Sequence, residues 1–328
     1  MKTPAFWSKR RPTLLARLLQ PVGALYGRTT ARRMRGPSER AGAPTICVGN
    51  FVAGGAGKTP AALALARMLI GNGRRVAFLS RGYGGSERLE PLMVDPNTHS
   101  AATVGDEPLL LAKVAPCWVG TDRLRSARSA VEAGANALVL DDGLQNPALV
   151  KDLAFAAVDG ETGFGNGLCV PAGPLRAPVS VQLPFVRALI VLGGEEAALS
   201  AIAGSAPGKP LIRASLEPDA LAAAPLIGRE VVAFAGIARP EKFYATLRRV
   251  GAQIVMTRNF ADHHPYTPRE IEALIEEAGR RSALLATTEK DLVRLGARHA
   301  LAVMTLPVTL RFEEPGVVQR MLRQALRG

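Results

Sequence analysis

Two groups of residues in this sequence have types and spacing suited to phosphate chemistry. The first is Gly54-Gly55-Ala56-Gly57-Lys58-Thr59. Glycines 54, 55 and 57 leave backbone N–H groups open to phosphate oxygens. Lys58 has the reach to meet the β/γ-phosphates of a nucleoside triphosphate, and the Thr59 hydroxyl is a ligand for Mg²⁺. The second group is Asp141-Asp142, which ends the apolar run Ala137-Leu-Val-Leu140. An acid closing a buried strand downstream of a phosphate loop is where a Mg²⁺-organising carboxylate belongs. The strict loop pattern would place glycine at position 52, where this chain has Val52. The loop is therefore a variant, and its reading rests on what flanks it.

A strand and a helix flank it. Ile46-Cys47-Val48 reads as a buried strand, and the alanine- and leucine-rich stretch from Lys58 to Asn72 as a helix. The first turn of that helix adds unpaired N–H groups and the positive end of its dipole. Gly71-Asn72-Gly73 is its stop. Strands follow over 75–80, 115–120, 137–142 and 153–158, with helices over 109–114 and 122–133. Past residue 209 the rhythm restarts, with strands at 230–235, 253–257, 283–287 and 301–306 and helices at 240–250, 268–279, 289–295 and 315–326. Thr267-Pro268-Arg269-Glu270 has the form of a capping box with proline at the first helical position. Alternating strands and helices predict the α/β class, with parallel sheets covered on both faces. The expected division is a basic amphipathic segment at 1–40, a nucleotide-binding catalytic domain at 41–209, a linker at 210–226 and a second, smaller α/β domain at 227–328.

Ligands of an open α/β sheet collect beyond the carboxyl ends of its strands. Arg81 and Tyr83, in the Arg81-Gly-Tyr-Gly-Gly85 loop, are candidate substrate or nucleotide contacts, or part of a plain surface turn. Arg123, opening a helix, and Gln145 and Asn146, after the second acid, are further substrate-binding candidates. So is Arg176, in the proline- and glycine-dense stretch Pro171-Ala-Gly-Pro-Leu-Arg176. Asp106, before Glu107-Pro108, reads first as a helix cap and also as a carboxylate aimed into the cleft. In Asp262-His263-His264 the aspartate can orient His263 as a proton acceptor, or the trio can approach a metal, for which no third ligand type is evident.

The chain has 328 residues, 48% hydrophobic and 21% charged, enough for two ordinary domains. Three widely spaced cysteines give no disulfide framework and no metal-ligand spacing, which points to a reducing compartment. Of the net charge of +13, most sits in residues 1–40, where ten Lys and Arg face the single Glu39. There Leu14, Leu15, Leu18, Leu19, Val22, Leu25 and Tyr26 recur at helical spacing, with arginines opposite and Phe6-Trp7 just ahead. Pro21 is expected to kink or divide this helix. Arg17, Gln20 and Pro21 interrupt any span of about 20 apolar residues. A helix lying on an anionic leaflet fits best, ahead of one docked on the protein's own core or a nucleic-acid arm.

Taken in series, Gly54–Pro60, Ser80-Arg-Gly-Tyr-Gly-Gly85, Gly105-Asp-Glu-Pro108, Asp141-Asp-Gly-Leu-Gln145, Phe164-Gly-Asn-Gly167, Pro171–Arg176, Ala261-Asp-His-His264 and Thr287-Thr-Glu-Lys-Asp291 resemble the tetraacyldisaccharide 4′-kinase family of lipid A biosynthesis. The resemblance runs from about residue 5 to the last residue. It implies transfer of the ATP γ-phosphate, with Mg²⁺, to the 4′-hydroxyl of a tetraacylated glucosamine disaccharide 1-phosphate, giving lipid IVA. It also implies a monotopic enzyme on the cytoplasmic face of the inner membrane, with two α/β/α domains flanking a cleft. By the same resemblance Asp106 and His263 form a dyad that deprotonates the sugar hydroxyl, while Asp141 and Asp142 serve Mg²⁺ and the phosphates. The chain departs from the family where Asn146 replaces a frequent histidine and Ala177 a frequent glutamate, so roles at those positions are not carried over. Neither nucleic acid nor an obligate protein partner is expected. Rival readings are a soluble NTPase of the metal-delivery or partitioning kind and a basic nucleic-acid-binding protein. The first would hydrolyse ATP without labelling lipid, and the second would bind DNA or RNA in a salt-sensitive way.

Overall fold

In the computed structural model, which describes residues 4–9, 11–86 and 90–327, the chain builds one sheet, leaves it for a second and then returns. Helix α1 (Leu14–Met34) precedes β1 (Thr45–Gly49), α2 (Lys58–Gly71), β2 (Val76–Ser80) and β3 (Leu92–Met93). Two short helices, α3 (Ala101–Val104) and α4 (Asp106–Ala112), lead to β4 (Cys117–Val119), α5 (Arg123–Glu132), β5 (Ala137–Asp141) and β6 (Leu153–Asp159). Then come α6 (Val179–Gln182), β7 (Ala188–Leu192), α7 (Glu196–Ser205) and β8 (Leu211–Pro218). The second unit holds α8 (Ala220–Ala223), β9 (Glu230–Ala235), α9 (Pro240–Arg249), β10 (Gln253–Asn259), α10 (Pro268–Arg280), β11 (Leu284–Thr287), α11 (Glu289–Leu292), α12 (Ala297–Ala300) and β12 (Met304–Thr305). Strand β13 (Val308–Phe312) and α13 (Pro315–Ala325) follow.

The large sheet runs β13-β8-β7-β6-β1-β5-β2-β4-β3, parallel except at its two edge pairs. Successive residues of a strand face opposite sides, so each strand feeds two cores. Ile46, Val48, Phe78, Val139 and Phe155 pack under α2 and α13, while Cys47, Leu79, Leu138 and Leu140 pack under α5 and α7. Every residue of β1 and β5 is buried, which is why both read as unbroken apolar runs. Their register sets Val48 beside Asp141 and so delivers the acid to the start of the glycine loop. The small sheet, β10-β9-β11-β12, is wholly parallel. Helix α9 covers one face and α10 the other, and α10 carries the expected capping box.

The structure differs from the expected segmentation at its C-terminal side. Residues 210–226 are not merely a linker, because β8 is integral to the large sheet. Nor does the second unit continue to 328. Strand β13 pairs antiparallel with β8, and Val318 and Leu322 of α13 join the large core. The expected strand at 301–306 is reduced to Met304–Thr305, and the expected helix at 289–295 to Glu289–Leu292. Pro21 does not divide α1, which runs unbroken through it. It lies on the exposed side, where water can serve the carbonyl that its missing N–H would have engaged. Lys2 and Arg10 of the basic segment lie outside the described residues.

Candidate active site

The glycine loop takes its form from backbone that side chains would obstruct. Gly57 caps α2 at φ 80, and a Cβ there would come 2.4 Å from Leu192 Cδ2. Around Gly54 (φ 110) and Gly55 the space is open, and Ala56 is buried between them and Gly57. The Lys58 ammonium donates to the Gly54 carbonyl at 3.2 Å and stands 3.7 Å from Asp142. Thr59 donates its hydroxyl to Asp141 Oδ2 at 2.9 Å. The lysine, the threonine and both acids therefore share one corner of the sheet, as expected of a phosphate and cation site.

The two acids differ in environment. Burial pushes the Asp141 carboxyl up to about 6, against the opposing pull of Lys58 and the Thr59 hydrogen bond. Burial acts on Asp142 in the same sense, but Lys58 and Arg176 outweigh it and hold that carboxyl below its ordinary value. Arg176 grips Asp142 with two parallel bonds of 3.0 and 2.9 Å, and also donates to Gln145 Oε1 and the Val52 carbonyl. Arg123 is 3% exposed, and burial pulls it down to about 10 despite the two acids. Asp141 Oδ1, Asn50 Oδ1 and Arg123 Nε are buried with no hydrogen-bond partner among the described residues. Buried polar atoms ordinarily have partners, so these three are ready for an outside oxygen or donor. Thr59, Asp141 and Asp142 supply the hard oxygen set that Mg²⁺ prefers. The residues fit that ion.

A second cluster forms where the units meet. Gly105, not Asp106, occupies the N-cap of α4, so the expected cap is replaced by Asp106 at the first helical position. Its carboxylate turns across the cleft, where Oδ2 meets His263 Nδ1 at 2.7 Å and Arg294 Nε at 2.8 Å. Burial raises the Asp106 pKa, but the bonds from His263 and Arg294 prevail and lower it on balance. The Asp106 hydrogen bond raises His263, against burial and with help from Glu107 and Asp262. Next to this pair Lys290 donates to Glu107 Oε1 at 2.5 Å. Asp106, Glu107 and His263 have ligand atoms within 4.8 Å of one another. Each carboxylate already has a cationic partner, so the group reads as an ion-pair cluster.

The other expected residues divide. Tyr83, 71% exposed, sets its ring edge-on to His263 at 5.6 Å. Arg81 is exposed near Arg123. Gln145 is buried and spends its amide on the Asn50 carbonyl and Gln182, while its oxygen accepts from Arg176. Asn146 closes a local turn onto the Ala148 N–H. Both are thus engaged in holding loops. Ala177 is fully buried. His264 stacks on Phe260 and pairs with Glu270, away from Asp106. Sequence reasoning assigned no role to Glu107, Lys290 or Arg294, although Lys290 lies within the Thr287–Asp291 motif.

Known proteins resemble the chain along its whole length. Residues 15–327 match the family described as LpxK: tetraacyldisaccharide-1-P 4′-kinase. A tetraacyldisaccharide 4′-kinase of Methylobacterium sp. (strain 4-46) is 53% identical over 329 residues, covering 100% of this chain and 99% of that protein. Another from Rhodospirillum centenum is 49% identical over 335 residues, covering 100% and 98%. The crystal structure of LpxK from Aquifex aeolicus in complex with ATP superposes with a TM-score of 0.76 at 26% identity, covering 95% of this chain and 100% of that one.

Proposed function

Because this chain belongs to the tetraacyldisaccharide 4′-kinase family, we infer that its glycine loop, its Asp141-Asp142 pair and its Asp106–His263 pair together perform the phosphoryl transfer. The activity is that of the lipid A pathway 4′-kinase, which sets aside the NTPase and nucleic-acid readings. The phosphate donor is ATP, bound over the loop 54–59, and the acceptor is the 4′-hydroxyl of the tetraacyldisaccharide 1-phosphate.

The observation that carries the assignment of roles is the 2.7 Å contact between His263 and Asp106, which come from different sheets. An ionised carboxylate only accepts, so His263 Nδ1 holds the proton and Nε2 is left basic. Asp262 Oδ1 is 3.8 Å from that nitrogen, too far to occupy it. Nε2 takes the hydroxyl proton, and Asp106 stabilises the imidazolium that results. Lys58 and the loop N–H groups hold the transferring phosphate, and Arg123 faces the same corner as a second cation. Mg²⁺ held by Thr59 and Asp142, with Asp141 beside them, would neutralise phosphate charge.

An acylated substrate must be reached at a lipid surface. Leu14, Leu18 and Leu25 are 75%, 71% and 63% exposed along one side of α1, with Arg17, Arg28, Arg32 and Arg33 also exposed. No helix among the described residues is long and apolar enough to cross a membrane. Helix α1 therefore rests in the headgroup zone of the inner membrane's cytoplasmic leaflet.

The test uses γ-labelled ATP, Mg²⁺ and the disaccharide lipid in detergent. Asp106→Asn and His263→Gln should each lower lipid labelling about 10²- to 10⁴-fold, the usual contribution of a general base. Near-normal turnover in either would remove the dyad. Inorganic phosphate released without labelled lipid would remove the kinase.

A further inference from the structure

Arg294 is one of the buried side chains that join the two units. Its side chain is 4% exposed. It donates to Asp106 Oδ2 from Nε at 2.8 Å, and its Nη2 stands 2.5 Å from the same oxygen as an ion-pair contact. From Nη1 it donates to the Gly236 carbonyl and to Asp291 Oδ1, each at 2.9 Å. The Gly236 carbonyl also accepts the backbone N–H of His263 at 3.0 Å. Asp291, fully buried, accepts from the Gly236 N–H at 2.9 Å and the Tyr266 hydroxyl at 2.7 Å. One guanidinium thus fixes the carboxylate of the dyad directly and the backbone of its histidine through a shared carbonyl. His263 itself sits at φ 57, a left-handed conformation that a non-glycine residue holds only when its surroundings impose it.

We propose that Arg294 is a positioning residue of the dyad: it orients Asp106, sets the loop that carries His263, and shares the Asp106 charge so that the imidazole is not overstabilised as a cation. The proposal rests on the dyad reading given above. The guanidinium is a planar fork, Nε toward Asp106 and Nη1 toward Gly236 and Asp291, that a lysine would not reproduce. The charge argument follows from the groups that face the pair. His263 meets Asp106 and Glu107 from α4, Asp262 from its own loop and the Tyr83 ring. Asp106 meets His263 and Arg294, with Lys290 on the neighbouring Glu107. Three acids and one neutral ring thus surround the imidazole. Arg294 offsets the acid in direct contact with it.

The sign of the effect is fixed by this arrangement. Without Arg294, Asp106 holds the imidazolium more strongly, and the His263 pKa rises. The Asp106 pKa rises as well, because its cationic partner is gone. Both move the acidic limb of kcat/KM to higher pH.

In the full-length enzyme, Arg294→Gln should lower kcat about 10- to 100-fold, leave KM for ATP near its original value and shift the acidic limb upward by about one pH unit. Arg294→Lys, which keeps the charge and loses the fork, should lower kcat with a smaller shift of that limb. If Arg294→Gln does not fold, Tyr266→Phe removes one support of Asp291 and should lower the kcat of the folded protein by a few-fold, beyond what its reduced Tm accounts for at the assay temperature. Asp106→Asn with Arg294→Gln should cost less than the product of the two single losses. A purely structural residue would lower activity only with the folded fraction and leave the limb in place, and that result in the Gln and Lys variants overturns the proposal. If Asp106→Asn and His263→Gln lower turnover while the Arg294 and Tyr266 variants match the unmodified enzyme, this proposal fails alone. If Asp106→Asn and His263→Gln are themselves silent, the dyad reading has failed first.

Discussion

Three charges meet at Asp142, and their geometry decides what the residue can do. Arg176 holds both carboxylate oxygens and Lys58 stands on one side, so the carboxylate stays ionised and aimed at the phosphate loop. A lysine at 176 would keep the attraction but lose the second parallel bond. Charge-assisted bonds contribute roughly 1.5–3 kcal/mol. Arg176→Lys should therefore cost about tenfold or more in kcat with a small change in Tm, and steady-state kinetics on a folded variant would show it. Unchanged kcat would mean that Asp142 needs no such orientation. Lys58, Thr59 and the two acids were legible in the sequence because they follow a strand and open a helix, local facts that a motif records. The Asp106 carboxylate was only half legible. An acid before Glu-Pro reads as a cap, and nothing local shows that Gly105 takes that position while Arg294, far along the chain, claims the side chain. The left-handed φ of Asp142 and His263 likewise left no sign in the residue types.

Among the elements, the leucine stripe of α1 was legible as a helical face, and its docking face was not. Its leucines recur at helical spacing, and the structure leaves Leu14, Leu18, Val22 and Leu25 exposed, contrary to the reading in which they dock on the core. The docking face is instead Ala16, Gly23, Gly27, Thr30 and Met34, too small and mixed to register as an apolar stripe. A Cβ at Gly23 would lie 2.6 Å from the Cys169 carbonyl, and one at Gly27 would lie 2.8 Å from the Cys169 sulfur. These glycines let the helix approach the loop that ends in Arg176. Two opposite outcomes follow. Gly23→Ala gains about 1 kcal/mol of helix propensity, yet the backbone oxygen opposite cannot yield easily, so Tm should fall. Serine at Leu14, Leu18 and Leu25 together should leave Tm unchanged while reducing co-sedimentation with anionic phospholipid vesicles. A triple variant that still sediments fully would refute the interfacial role of this face. Trp7, just ahead of the helix, donates its indole N–H to the Pro171 carbonyl at 3.0 Å. The arm is tied down at its start.

At the scale of the molecule, the second unit is inserted between β8 and β13, two antiparallel neighbours at one edge of the large sheet. That return was hidden because β13 is a five-residue strand next to a predicted one. The two units face each other with opposite charge. Asp106, Glu107, Asp159 and Glu161 belong to the large unit, and His263, Lys290, Arg294, Arg239 and Lys242 to the small one. The two clasps differ in exposure. Arg294 and Asp106 are almost wholly buried, whereas Arg239 and Lys242 are 37% and 45% exposed over Asp159. The outer clasp is accordingly screened by salt and worth about 1 kcal/mol, while the inner one persists. Burial would raise the Asp159 pKa, but Lys242 and Arg239 lower it below the ordinary carboxylate value. A depressed carboxylate adds stability that is complete above its unfolded pKa, near 3.9, and is lost as pH falls through the folded value. Asp159→Asn should therefore lower the urea midpoint by a constant amount from neutral pH down to about 5, and by progressively less below about 4. Added salt at neutral pH should narrow the same gap, since it weakens the clasp in the unmodified protein only. A gap that ignores both pH and salt would show that Asp159 acts through its bonds to Glu161 and Thr162 within its own loop, leaving the inner cluster to hold the units together.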